Sequence, residues 1–119
     1  MSNDQVTRAT DSTLSRRTLE HLRESLEEQR RFRLQQLQEF AAVPVGSGRS
    51  ASGQREVHEQ LVSSAQMVLE DVEAALARMD EGLFGRCELC ARPIAPARLE
   101  IVPQARYCVR CHLMREAVR

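Results

Sequence analysis

Apolar residues recur along two stretches of this chain at alternating three- and four-residue steps, the spacing that keeps one side of an α-helix apolar. In the first, at about 14–42, Leu19, Leu22, Leu26, Leu34, Leu37 and Ala41 carry the stripe, with one longer gap across Gln29 to Arg33. In the second, at about 54–81, Val57, Leu61, Ala65, Val68, Val72, Ala75 with Leu76, and Met79 form a more regular heptad. Both stripes are narrow and polar residues cover the remaining faces, which predicts a two-stranded seam. Helices of about 27 residues, each about 40 Å long at 1.5 Å per residue, fold back as an antiparallel hairpin when the connection is short. Thr13 or Ser15 is the candidate N-cap, and Glu27 and Arg31 form a favourable i,i+4 pair.

Between the stripes, at about 43–53, Pro44, Gly46, Gly48 and Gly53 interleave with Ser47, Ser50 and Ser52. Proline and glycine end helices, so this stretch reads as the loop at the hairpin tip. A plain connector and a contact-making tip are equally compatible with it. In the second case Ser47, Arg49 and Ser50 are the candidate partner-binding residues. Residues 1–13 are polar and aperiodic, which predicts a disordered leader. They lack both a basic start and an apolar run, and no stretch has the eighteen or so apolar residues of a membrane span, so the expected location is cytoplasmic, without membrane contact.

The 119 residues include only Phe32, Phe40, Phe84 and Tyr107 as aromatics and no Trp. A large globular core is therefore not expected, and stability must come from the helical seam and from some further cross-link. The four cysteines supply the candidate. Cys87 and Cys90 form one C-x-x-C pair, and seventeen residues later Cys108 and Cys111 form another. This is the spacing of a four-thiolate zinc site, each pair reaching the metal from one tight turn. With all four positions filled by protein, the metal is structural, with no place for an activated water. Other readings of the cysteines are weaker. Disulfides require an oxidising compartment, the Cys108-to-His112 match to a haem c attachment pattern would strand Cys87 and Cys90, and a thioredoxin-like dithiol needs a βαβ context. His112 is a weaker competitor for the metal, and His58 reads as a surface residue beside the seam.

Within the finger, Ile94, Leu99, Ile101 and Tyr107 are the expected miniature core, with Pro93, Pro96 and Pro103 stiffening the loop. Gly82 stands where a left-handed helix cap is expected, with Gly85 just before the first knuckle. Ala91 follows the second cysteine, where a left-handed backbone would cost about 1–2 kcal/mol. A short helix is expected from about Cys108 through Val118.

Formal net charge is zero but unevenly placed. Residues 56–82 hold seven acids against Arg78, whereas residues 83–119 hold seven arginines against three glutamates. The basic end suits an acidic protein surface or nucleic acid as well as plain solvation. Scarce aromatics argue against base stacking. No paired-carboxylate pocket, activated nucleophile or phosphate loop is present in the sequence, so an enzyme is not expected.

The run from Leu76 to Cys111, with Gly82, Phe84-Gly85, Pro93-Ile94, Arg98-Leu99-Glu100, Pro103 and Tyr107 as well as the cysteines, strongly resembles the DksA/TraR C4-type zinc finger. The resemblance covers about the last 44 residues, and the preceding hairpin agrees in architecture only. It implies a mainly α fold: a long antiparallel helical hairpin (a coiled coil) at 14–82, then a four-cysteine zinc finger and a short C-terminal helix at 83–119. It also implies Cys87, Cys90, Cys108 and Cys111 as ligands of one structural Zn²⁺. The implied function is transcription regulation by binding RNA polymerase at its secondary channel, without sequence-specific DNA contact. Well-known members carry an Asp-x-x-Asp-x-Ala tip, whereas no acid occurs here between Glu39 and Glu56; positions that bind ppGpp in responsive members hold Asp71, Val102 and His112. The resemblance therefore implies a divergent member independent of ppGpp. Two competing functions are a zinc-stabilised helical adaptor for another protein and a thiol redox or zinc-release sensor. The hairpin is compatible with a monomer or with a homodimer.

Overall fold

The computed structural model of the chain describes residues 14–43 and 49–118. The leader at 1–13, residues 44–48 with Ser47, Arg119 and the side chains of residues 49–51 lie outside the described residues. Four helices follow in order: α1 (Arg16–Ala42), α2 (Arg49–Asp80), α3 (Pro96–Ile101) and α4 (Val109–Val118). Among the described residues there is no strand, only an isolated antiparallel bridge between Arg86 and Pro93. The molecule measures 71 × 33 × 20 Å, the shape of a hairpin with a small domain at its base.

Each end of the hairpin has a local cause. Ser15 is the N-cap of α1: its backbone is extended, and its Oγ accepts the Thr18 N–H at 3.1 Å. At the other end of α1, Val43 is extended and precedes Pro44, which disfavours a helical residue before it. α2 ends in a Schellman closure. Gly82 is left-handed at φ +76, its N–H bonds the Met79 carbonyl at 3.1 Å, and the Leu83 N–H bonds the Arg78 carbonyl at 2.8 Å.

The sequence places the start of α2 near Gln54, but the helix begins at Arg49, so residues 49–53 of the expected tip loop are helical. Serine and glycine each lower helix propensity by at most about 1 kcal/mol, and extending a helix already nucleated by its packed part offsets that. No atom lies within 4 Å of where a Gly53 Cβ would sit, so this glycine meets no steric demand.

The seam is closed at the base and looser toward the tip. Leu22 and Leu26 of α1 and Ala65, Val72 and Ala75 of α2 are fully buried, whereas Leu61 and Val57, on the same stripe, are 49 % and 56 % exposed. Two ion pairs cross the seam, Arg23–Asp80 at 3.0 Å and Arg30–Glu73 at 3.1 Å. A step of seven along α1 is matched by a step of seven back along α2, the register of an antiparallel heptad pair. Both pairs are half exposed and add little beyond register. Near the tip His58 packs edge-on against Phe40, with ring centroids 5.7 Å apart.

The finger docks on the base. Leu22 joins Cys87, Ile94, Leu99, Ala105 and Cys111 in one core, with Leu14, Met79, Phe84, Val102 and Tyr107 at its edge. Leu26, Val72 and Ala75 form a second, also lined by Met79 and Phe84, so these two side chains join finger to hairpin. One expected core residue is placed differently: Ile101 is 81 % exposed. It belongs to α3, which the prolines did not suggest as a helix. Leu99 faces the core there, and two residues further on a helix points the opposite way.

Leu26→Ala is expected to destabilise the protein by about 2–5 kcal/mol in denaturant titration, because it empties a fully buried site. Leu61→Ala, half exposed, is expected to cost under about 1 kcal/mol.

Candidate metal centre

The first cysteine pair is presented by a short ribbon. The Cys87 N–H donates to the Arg92 carbonyl at 2.8 Å and the Ile94 N–H to the Gly85 carbonyl at 2.7 Å, two rungs on either side of the Arg86–Pro93 bridge. Gly85 has φ +89, a conformation that favours glycine, and a Cβ there would lie 3.2 Å from Leu14 Cδ1, which would have to shift slightly. Between the rungs the chain turns tightly: the Ala91 N–H bonds the Cys87 carbonyl at 2.9 Å, and Ala91 takes φ +63. That left-handed alanine is the strained position the sequence marks, and the turn that brings Cys90 back beside Cys87 sets its conformation.

The second pair sits at the start of α4. Cys108 precedes the helix, its Sγ lies 3.5 Å from the Cys111 backbone nitrogen, and its carbonyl accepts the His112 N–H at 2.8 Å. The two knuckles are tied by the Glu88 N–H, which donates to the Arg106 carbonyl at 2.8 Å, and the second is braced from α3 by Arg98 Nε, which donates to the Tyr107 carbonyl at 3.2 Å.

All four Sγ atoms lie within 4.8 Å of one another, with Cys90 and Cys108 at 3.8 Å. Zinc with sulfurs at about 2.3 Å in a tetrahedron has sulfur–sulfur edges of about 3.8 Å, whereas a disulfide bond is about 2.05 Å long. The four cysteines are thus free thiols in an arrangement that suits one structural zinc ion. His112 is exposed and stands outside the cluster, so the donor set is four sulfurs. Cys87 and Cys111 are buried and Cys90 is exposed.

Without a cation the two buried thiols, Cys87 and Cys111, are driven apart. Burial pushes the Cys87 thiol up, but hydrogen bonds from the backbone of Cys90, Cys108 and Leu89 and from the Cys111 side chain outweigh it and bring Cys87 down to about 6. Cys111 is pushed up to about 12, first by burial and then by hydrogen bonds with the other three cysteines. One negative charge is accommodated and the last is refused. A zinc ion supplies the charge that lets all four ionise together.

Sequence reasoning missed how the finger is oriented. Arg106 pairs with Asp71 of α2 at 2.7 Å and with Glu88 at 3.5 Å, and Glu88 pairs with Arg78 of α2 at 2.7 Å. Arg78 also donates to the Ala105 carbonyl at 3.3 Å. Burial lowers the Arg78 pKa, opposed by Glu88; the hydrogen bond to Asp71 is the main cause raising that of Arg106. Asp71 and Arg78 stand one heptad apart on α2, which is the available signal, but their partners are remote in sequence. The tip candidates are not brought to this site. Arg49 and Ser50 open α2 at its far end, about 45 Å away by helix rise, and Ser47 lies outside the described residues.

Residues 82–116 match the prokaryotic dksA/traR C4-type zinc finger family. Among curated proteins, an uncharacterized protein of Aquifex aeolicus (strain VF5) is 33 % identical over 63 residues, 50 % of this chain and 43 % of that protein. The uncharacterized protein YlyA of Bacillus subtilis (strain 168) is 31 % identical over 68 residues, 57 % of this chain and 55 % of its own length. This chain thus covers about half the length of the curated relatives it matches. Among solved structures, the transcription factor DksA2 from Pseudomonas aeruginosa superposes with a TM-score of 0.75 at 20 % identity, over 98 % of this chain and 97 % of that one.

Purified protein is expected to carry one zinc per chain, and Cys87→Ser to lose it together with the dispersed amide resonances of the finger, while most of the hairpin's circular dichroism is kept. Ala91→Gly is expected to raise stability by up to about 1 kcal/mol, as the left-handed strain outweighs the added freedom of the unfolded chain. The finger at residues 82–116 thus matches the DksA/TraR C4-type zinc finger by sequence, and the whole chain shares the fold of a helical hairpin carrying such a finger.

Proposed function

We propose that this protein is a non-enzymatic, cytoplasmic transcription regulator that binds RNA polymerase at the secondary channel and acts without ppGpp. The observation that carries the reading is the architecture: a hairpin of 27- and 32-residue helices projecting from a four-cysteine finger, in a molecule 71 Å long but 20 Å thin. A probe of that shape suits a narrow channel, and Ser47, Arg49 and Ser50 are proposed as its partner-binding residues. Cys87, Cys90, Cys108 and Cys111 are assigned as zinc ligands whose role is to hold the hairpin's base in shape.

Independence from ppGpp is supported by what occupies the finger–hairpin junction. Asp71 places a carboxylate against Arg106, Val102 is a partly buried apolar residue against the finger core, and His112 is an exposed side chain on α4. An internal anion already satisfies Arg106. A second reading, a thiol redox or zinc-release sensor, is favoured by one specific feature: Cys90 is exposed and its sulfur lies 3.8 Å from that of Cys108. There, two thiolates give two electrons to peroxide, whose O–O bond breaks and whose oxygens take up two protons and leave as two waters, while the S–S bond forms and zinc is released. Low-micromolar peroxide would then release zinc in step with loss of those two thiols.

Zinc-loaded protein is expected to bind core RNA polymerase and to be displaced by a competitor that occupies the secondary channel, with affinity unchanged by added ppGpp. Absence of binding by protein that retains zinc and helicity would contradict the polymerase reading and leave a helical adaptor for another partner.

A further inference from the structure

The two sides of the α1–α2 seam are unlike. One side is closed by Arg23–Asp80 and Arg30–Glu73. The other carries the finger, held through Asp71 and Arg78. The finger covers only the base. Beyond it on the same side, the helical period places Phe32, Arg33 and Gln36 of α1 and Val57 and Leu61 of α2. Phe32, Val57 and Leu61 are 58 %, 56 % and 49 % exposed, although Val57 and Leu61 continue the stripe whose next members are buried.

Arg33 lies seven residues from Leu26 and seven from Phe40, at a position that faces α2. Its guanidinium stands over the Phe32 ring, 5.2 Å from the centroid, and donates to Gln36 Oε1 at 2.9 Å. Its Nε is buried without a hydrogen-bond partner, and among the described residues no carboxylate pairs with it. By the register of Arg30–Glu73 and Phe40–His58, the α2 positions turned toward α1 at this level, Ala65, Val68 and Leu69, are apolar. A cation partly withdrawn from water without a counter-ion is unfavourable, and an apolar residue there would have closed the seam.

We propose that this groove is a docking surface for an apolar segment of a partner protein that carries a carboxylate. The carboxylate pairs with Arg33, and the segment's apolar side chains cover Phe32, Val57 and Leu61. Charge complementarity selects the occupant: the groove presents one cation lacking an internal anion, with exposed Phe32 beside it and exposed Val57 and Leu61 of α2 nearer the tip. The surface is distinct from the metal centre and from the tip, and the inference stands apart from whether the partner is RNA polymerase.

The test uses the full zinc-loaded chain and two synthetic amphipathic helical peptides on one Leu/Ala framework, with a central Glu or a central Gln, titrated by calorimetry. The Glu peptide is expected to bind at least about tenfold more tightly than the Gln peptide. Arg33→Leu is expected to abolish that preference while raising the unfolding temperature by a few degrees, which separates recognition from folding. Leu61→Glu is expected to weaken both peptides. Equal affinities, a preference that survives Arg33→Leu, or no binding of either peptide would overturn the proposal. So would self-association in sedimentation that Leu61→Glu disperses, since a second copy would then fill the groove.

Discussion

Four thiolates gathered into one small volume repel one another unless a cation lies between them, and the finger has few other means of staying folded. Its two large buried side chains are Ile94 and Leu99. Everything else inside it is short: an isolated bridge, a six-residue helix, and a first knuckle that turns through a left-handed alanine. Metal binding free energy is folding free energy in such a module. It also accounts for composition, because four thiolates around Zn²⁺ leave a net charge of −2, which the arginines of the finger oppose.

The consequence extends to the hairpin. Leu22 of α1 packs into the same core as Cys87 and Cys111, and Met79 and Phe84 serve both cores. Asp71 and Arg78 fix the orientation through Arg106 and Glu88, partly shielded charges that pair well where lone surface pairs would contribute little. The base is thus a welded joint. Away from it Gln29 and Arg33 interrupt the α1 stripe, so the hairpin is held firmly at one end and presents polar and apolar groups together at the other.

Much of this is legible in the sequence wherever the cause is local. Ser15 caps because its oxygen reaches the Thr18 N–H; Gly82 and Gly85 are glycines because φ is positive; Ala91 is strained because it follows a knuckle. The paired cysteines declare their metal by spacing alone. What the sequence hides is pairing across distance. Periodicity marks Val57 and Leu61 as a seam face without saying that α1 leaves them half covered. Nothing near Asp71 announces Arg106, thirty-five residues on. The start of α2 and the α3 helix were obscured by serine, glycine and proline, whose local penalties are smaller than what helix continuation and packing return.

The central claim is that one zinc bound by four sulfurs organises the base on which the hairpin stands. Zinc K-edge X-ray absorption of the purified protein tests it most directly. The account predicts a first shell of four sulfur atoms at about 2.3 Å and no lighter scatterer. A shell containing nitrogen or oxygen, or zinc well below one per chain in folded protein, would contradict it.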